Sequence, residues 1–395
     1  MKALEMRRSI PRLGLARIAS AIGASTAARI APLEYRNVDP PELPGGGWHR
    51  VRTRLSGICG SDLSMIEGHA STYFDDVVSF PFVPGHEVVG ELDDGTRVAI
   101  EPVLGHAARG FAPPFDGAAP GDGDDYGHLV AGSLEPGIQT GFCSSTGGGW
   151  APEFVAHDSQ LHRLGAVPDE RAVLIEPLAG GIHAALQAAR SESVRTAGAP
   201  VVAVLGAGTM GLAAIIGLVR YAPDVTVLVG ARYPHQQREA RRLGAHHVVP
   251  ASELIRAVRR HDGCRMIGEA VSGGAHAVID AVGSNDSITT ALRITRPRGR
   301  TVLMGMPAEV TLDLTGLWHR ETELVGAYTY GTESLPDDTT AKTFALAAET
   351  ADAIESERWV SATYRLADHV DAIAHAADAG RRGAIKIVFD LREKA

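Results

Sequence analysis

Cysteine and lysine are both scarce in this chain of 395 residues. Three cysteines, Cys59, Cys143 and Cys264, are too few and too scattered for a disulfide framework, which points to a reducing compartment. The length lets hydrophobic cores carry the fold without such staples. Lysine stands only at positions 2, 342, 386 and 394, so arginine supplies nearly all of the positive charge. The net charge of −9 gives no electrostatic basis for binding a nucleic-acid backbone or an anionic membrane. No apolar run reaches the roughly 18–20 residues of a membrane span. The opening stretch, residues 1–25, is basic and partly apolar, but Arg12 and Arg17 interrupt it. It reads as a short first strand or helix rather than a signal peptide. A cytoplasmic protein with a small-molecule partner is expected, without nucleic acid or membrane.

What is present falls into three textures. Short β-rich pieces at 51–55, 88–92 and 97–100 lie between Gly/Pro turns in the region 30–165. Within it, residues 104–150 are rich in Gly, Pro, Ala and Asp and read as one long loop, a kind of segment that is usually functional or mobile. From about 170 to 335, β-rich runs at 201–205, 225–229, 276–281 and 301–304 alternate with helical patterns such as 211–220 and 235–243. That alternation predicts βαβ units and a parallel sheet, an α/β fold. Helical patterns at 343–354 and 367–379 and a strand at 385–389 follow.

The run Val201-Val-Ala-Val-Leu-Gly206-Ala-Gly208-Thr209-Met210-Gly211 is a dinucleotide-binding candidate, because its glycines follow an apolar strand and open a helical pattern. Gly206 permits the tight turn, Gly208 admits a pyrophosphate, and Gly211 allows close helix packing. The helix N-terminus offers unpaired N–H groups to the phosphates. An NAD site usually places an acid at the end of the next strand, and none stands in Val229-Gly230-Ala231-Arg232. Gly230 leaves room and Arg232, with His235 nearby, can meet a 2′-phosphate, so NADP is expected over NAD. Cys59 and Ser61 in GICGSD, His86 and Glu87 in PGHE, and Glu176 in IEPLA suit a catalytic zinc with three protein ligands and one open position. Taken singly each has a plain structural reading: a small buried hydrophobe, a capping pair, a helix-start carboxylate. Their co-occurrence with the glycine turn favours chemistry.

The motifs GICGSD (57–62), PFVPGHEVVGEL (81–92), Gly95-Thr-Arg97-Val98, IEPLA (175–179), LGAGTMG (205–211) and DAVGS (280–284) stand in an order that resembles the zinc-dependent medium-chain alcohol and polyol dehydrogenases. The resemblance implies a GroES-like, mostly β catalytic domain at 1–168 and 338–395, with a Rossmann domain inserted at 169–337. It implies Cys59 and His86 as zinc ligands, and Glu176 at the third position, where polyol and sugar dehydrogenases carry glutamate. Glu87 is implied as an alternate ligand or a supporting group. Ser61 would pass the substrate hydroxyl proton outward. Ser64 stands where the relay histidine of the family would be, leaving water or His69 for the last step. Val282 joins the cofactor contacts, and the pocket would be lined by 63–80, Trp150, Trp318 and 328–332. One catalytic zinc per chain and a dimer or tetramer are expected.

The family's four-cysteine structural zinc site is missing, since no cysteine stands between Cys59 and Cys143. A weaker site from His106, Asp122, Asp124 and His128 is the remaining metal option there, and otherwise the lobe is mobile or held by other contacts. Two other functions compete with the zinc-dependent one. A zinc-independent NADPH-dependent enone or imine reductase of the same superfamily would keep its activity in a chelator. A non-catalytic dinucleotide-binding protein would transfer no hydride.

Overall fold

The computed structural model describes residues 1–392, which divide into two compact units, Met1–Glu176 with residues 347–392, and Pro177–Leu346. The first is built around a seven-stranded sheet whose inner strands are buried along most of their length. Its order is Val360–Tyr364, Lys386–Asp390, Trp48–Gly57, Val88–Glu91, Arg97–Ile100 and Leu161–Arg163, with Glu153–His157 also paired to Trp48–Gly57. The ten-residue strand Trp48–Gly57 is therefore the hub of the sheet. The last strand of the chain lies directly against it, Val388 opposite Gly57. A separate hairpin, Lys2–Met6 with Leu33–Asn37, holds two helices in its connection, α1 (Ile10–Ser20) and α2 (Ala24–Ile30).

In the second unit six parallel strands form one sheet. Numbered along the chain as Val201–Leu205, Thr226–Ala231, His247–Pro250, Ala275–Asp280, Thr295–Leu303 and Glu323–Gly326, they stand in the order 3-2-1-4-5-6. This is the doubly wound dinucleotide-binding order, with its switch point between the strands at 201–205 and 275–280. Helices Thr209–Tyr221, Pro234–Arg242, Leu254–Asp262 and Asn285–Ile294 make the crossovers. The central strands Val201–Leu205 and Ala275–Asp280 are buried at every residue because helices cover both faces. One helical stretch, Asp169–Ala189, is long and apolar enough to cross a membrane by length and composition, but it is 83% buried within the fold, as a core helix is.

Residues 101–152 lie between the strands Arg97–Ile100 and Glu153–His157, and their only helical elements are two short 3-10 turns, Ala107–Arg109 and Gly127–Val130. A single side chain holds them from within. Arg109 is fully buried and donates to the carbonyl oxygens of Leu104 (3.2 Å), Ala131 (3.1 Å), Glu135 (3.4 Å) and Gly137. The Cys143 thiol adds a bond to the Glu135 carbonyl at 3.4 Å. A guanidinium carries five donors in a rigid plane, so it can gather carbonyls from distant parts of a loop at one point. His106 and His128 stack with ring centroids 4.0 Å apart. Among the described residues, however, the one group of three or more ligating side chains lies elsewhere, and it includes neither histidine.

Arg109→Met would strip four carbonyls of their donor, and a loss of about 3 kcal/mol or more in urea unfolding is expected. Arg109→Lys should recover only part of it, because a point charge cannot reach all four. Limited proteolysis should then cut the parent slowly and the Met variant quickly between residues 104 and 150. A change below about 0.5 kcal/mol would remove Arg109 from this role.

Candidate metal centre and dinucleotide turn

Strand Trp48–Gly57 runs into Ile58 and Cys59, and helix Gly60–Ile66 begins at once, so Cys59 is its N-cap. The Cys59 backbone N–H donates to Asp62 Oδ2 at 2.9 Å, which fixes the turn. The segment Pro84–Glu87 leads into Val88–Glu91, antiparallel to Trp48–Gly57, and the Gly57 N–H donates to the Glu87 carbonyl at 2.8 Å. A Cβ at position 57 would stand 1.9 Å from Glu87 Oε2. Glycine there is what admits the carboxylate.

Cys59, His86 and Glu87 each present a ligand atom, and the three atoms lie within 4.8 Å of one another. His86 and Glu87 are buried while Cys59 is half-exposed, so solvent reaches the group from the thiol side. Charge surrounds it. Asp62, wholly buried, brings Oδ1 to 3.6 Å from His86 Nδ1. Lys386 is buried too, forms an ion pair with Glu87 and donates to the Ile58 carbonyl at 3.1 Å. With no metal present, burial opposes a charged His86, yet Asp62, Cys59 and Glu176 outweigh it and push its pKa up to about 10. Burial likewise opposes a charged Lys386, and Glu87 and Cys59 prevail, raising its pKa.

These residues fit a metal ion. Glu87 Oε1 is buried without a hydrogen-bond partner, and burying a lone carboxylate oxygen is costly unless a cation meets it. The donor set of sulfur, nitrogen and oxygen suits zinc. Asp62 beside Nδ1 is the carboxylate that commonly orients a ligating imidazole. Glu176 is placed differently. It is the second residue of helix Ile175–Ala189, half-buried and outside the 4.8 Å group, though near enough for its charge to raise the pKa values of His86 and Lys386. Ser61 Oγ lies 3.5 Å from His86 Nε2. His69 is exposed, with Nε2 at 3.0 Å from Ser20 Oγ. Trp150, expected on the pocket wall, is instead a core residue: it is fully buried, packs on Phe389 and donates to the Gly57 carbonyl at 3.3 Å. Lys386 and Asp62 were not among the sequence candidates for a role. A lysine inside the apolar run Ile385–Lys386–Ile387, in a chain with four lysines, was the available signal.

In the second unit Gly206 follows the strand Val201–Leu205 at φ +88°, where side chains are strained, and a Cβ on Gly211 would stand 2.1 Å from the Gly206 carbonyl. A Cβ on Gly208 would meet open space, at the N-cap of helix Thr209–Tyr221, whose first two residues are Thr209 and Met210. Val282 is exposed just after strand Ala275–Asp280, and its Cγ2 lies 2.7 Å from where a Gly206 Cβ would be. A Cβ on Gly230 would stand 3.0 Å from Leu254 Cδ2. Arg232 is exposed directly after strand Thr226–Ala231, 5.5 Å over the Tyr233 ring. The Asp280 carboxylate accepts from Val282 N–H, Gly283 N–H and Ser287 Oγ, which shapes the loop at the switch point.

Residues 45–166 match the alcohol dehydrogenase GroES-like domain family, and residues 209–346 match the zinc-binding dehydrogenase family. Similar proteins include a sorbitol dehydrogenase of Arabidopsis thaliana, 27% identical over 330 residues, which span 77% of this chain and 80% of that protein. An L-idonate 5-dehydrogenase of Vitis vinifera is 27% identical over 333 residues, again 77% and 80%. The solved structure of a 2R,3R-butanediol dehydrogenase from Bacillus subtilis shares the fold with TM-score 0.66 at 18% identity, covering 98% of this chain and 99% of that one.

A proton on His86 competes with a metal ion for the same lone pair, so loading must release it. Because that proton is held up to about pH 10, apparent zinc affinity should fall by about tenfold or more for each pH unit below that value. Competition titration against a chromophoric chelator from about pH 6 to pH 9 measures it. A flat profile would contradict the charge arrangement described here.

Proposed function

The chain belongs to the zinc-dependent medium-chain dehydrogenases, and from that premise we propose that it moves a hydride between NADP and an alcohol or polyol, or the matching carbonyl compound. The observation that carries this reading is the convergence of Cys59, His86 and Glu87 within 4.8 Å. Relatives named for sorbitol and L-idonate support the polyol class.

Cys59, His86 and the carboxylate of Glu87 or Glu176 would hold a zinc ion, which would supply Lewis acidity toward the substrate oxygen, and a bound nicotinamide would supply the hydride chemistry. The chain's own groups do the rest. Asp62 holds the imidazole from the Nδ1 side and leaves Nε2 for the ligand role. Lys386 holds the Glu87 carboxylate in place through their ion pair. Ser61 takes up the hydroxyl proton when an alcohol is oxidised and returns it on reduction. From Ser61 the proton leaves through water or His69. The exposed Arg232, with no acid beside it at the strand end, suits a 2′-phosphate.

Metal analysis of the parent should give one zinc per chain, and a value of two would overturn the single-site reading. Cys59→Ser should lose the metal and about a thousandfold or more in turnover. Retained activity without metal, or activity that survives a chelator, would instead favour a zinc-independent reductase. Comparing Glu87→Gln with Glu176→Gln separates the two carboxylates, because only loss of a ligand releases zinc. The ratio of kcat/KM for NADP over NAD should exceed one and fall about tenfold or more in Arg232→Ala. A preference for NAD in the parent would sink the NADP assignment.

A further inference from the structure

Helix α1 is apolar on both sides, yet the protein covers only one. Ala16 and Ala19 are buried, and the backbone at Leu13 and Arg17 packs on the loop at Gly68. On the outer side Ile10, Gly14 and Ile18 follow at four-residue spacing, with Leu15 beside them and Ile22 just past the helix end. Their exposures are 75% for Ile10, 56% for Leu15, 72% for Ile18 and 79% for Ile22. Four large aliphatic side chains on one helix face are left bare, and such a contiguous patch marks an interaction surface.

Within the segment that carries this face the charge is of one sign. Residues 6–31 hold five arginines, at 7, 8, 12, 17 and 29, and no aspartate or glutamate. Arg12 is committed to the fold, bonded to Glu34 and to the carbonyls of Ile30 and Ala31, so it staples α1 to the end of α2. Arg7 has a loose contact with Glu5 at 3.8 Å. Arg8, Arg17 and Arg29 are exposed and make no ion pair among the described residues. The whole-chain charge of −9 conceals this local excess.

We propose that α1 is a peripheral docking helix for an anionic lipid surface, its isoleucine face dipping into the headgroup layer and Arg8, Arg17 and Arg29 meeting lipid phosphates. Apolar residues on one helix face flanked by arginine are the composition of an interfacial helix. A second copy of the chain fits less well. A two-fold contact would set the exposed Arg8, Arg17 and Arg29 of one copy against those of the other, and like charges repel. Lipid phosphate complements the same patch.

The test is flotation of the full-length protein with vesicles of phosphatidylcholine alone or with about one third phosphatidylglycerol. Binding is expected only to the anionic vesicles, weakening as salt screens the arginines. Ile18→Glu with Ile22→Glu should lower the bound fraction about tenfold or more, and Arg8→Gln with Arg17→Gln should lower it several-fold. Both pairs are on the surface, so thermal midpoint and circular dichroism should match the parent. Three results would overturn the proposal: no flotation, equal flotation with both vesicle types, or a change of oligomeric state in the Ile18/Ile22 variant without loss of vesicle binding.

Discussion

Four ionisable side chains buried at one point, Asp62, His86, Glu87 and Lys386, constrain the unit that contains them. Burying any one alone would cost several kcal/mol, and each is tolerable only because an opposite charge faces it. That condition reaches into the topology. Lys386 belongs to the last strand of the chain, and its ammonium arrives at Glu87 only because Lys386–Asp390 pairs with Trp48–Gly57 in the observed register. Gly57 lies at the meeting point of all three elements, where any side chain would displace the Glu87 carboxylate. The return of the chain to its first sheet is therefore tied to the chemistry of the centre. Remove the closing strand and a buried carboxylate loses its cation.

The same constraint explains which parts were legible beforehand. Cys59, His86 and Glu87 sit in short motifs whose residues are neighbours in sequence or one hairpin apart, so local order preserves their meaning. The glycine turn at 206–211 is equally local, and the parallel sheet followed from the alternation of β-rich and helical runs. Lys386 could not be read this way. Its partner is about three hundred residues away in sequence, and a lysine in a strand is ordinarily a solvated edge residue. The resemblance places Trp150 on the pocket wall, whereas packing against Phe389 makes it core. At Gly230 a side chain would crowd Leu254 of a crossover helix, a packing demand that its own stretch of sequence does not reveal. Composition also averages, which is how a net acidic chain hid an arginine-rich helix.

The two sites meet the burial of polar groups in opposite ways. At the dinucleotide turn the backbone does the work: Gly206 takes a conformation closed to other residues, Gly211 allows contact with the Gly206 carbonyl, and open space lies over Gly208. Nothing buried there carries charge except Asp280, whose carboxylate is met by two backbone N–H groups and Ser287. Burial lifts the Asp280 pKa, and those three donors pull the other way. The turn is thus self-satisfied before any ligand arrives. The metal centre is the reverse, with Glu87 Oε1 left without a donor and His86 holding a proton well above its ordinary range. One site is preorganised, and the other has the charge arrangement that a cation would complete.

The lobe between residues 101 and 152 shows a third solution. The groups that meet Arg109 there are carbonyl oxygens, neutral and hard. Zinc favours sulfur and nitrogen and has little affinity for such a set. A guanidinium suits it better, because its charge is spread over a plane whose donors point outward in fixed directions. Arg109 is covalently part of the chain, so its charge cannot be extracted. The order of the lobe is then independent of the metal supply, while the Cys59–His86–Glu87 group is not. Two cations, one built in and one acquired, divide the work of a sheet whose loops would otherwise carry unpaired carbonyls and unpaired carboxylates. Because the built-in cation is satisfied by backbone alone, it makes no claim on the thiolate and imidazole that the acquired one requires.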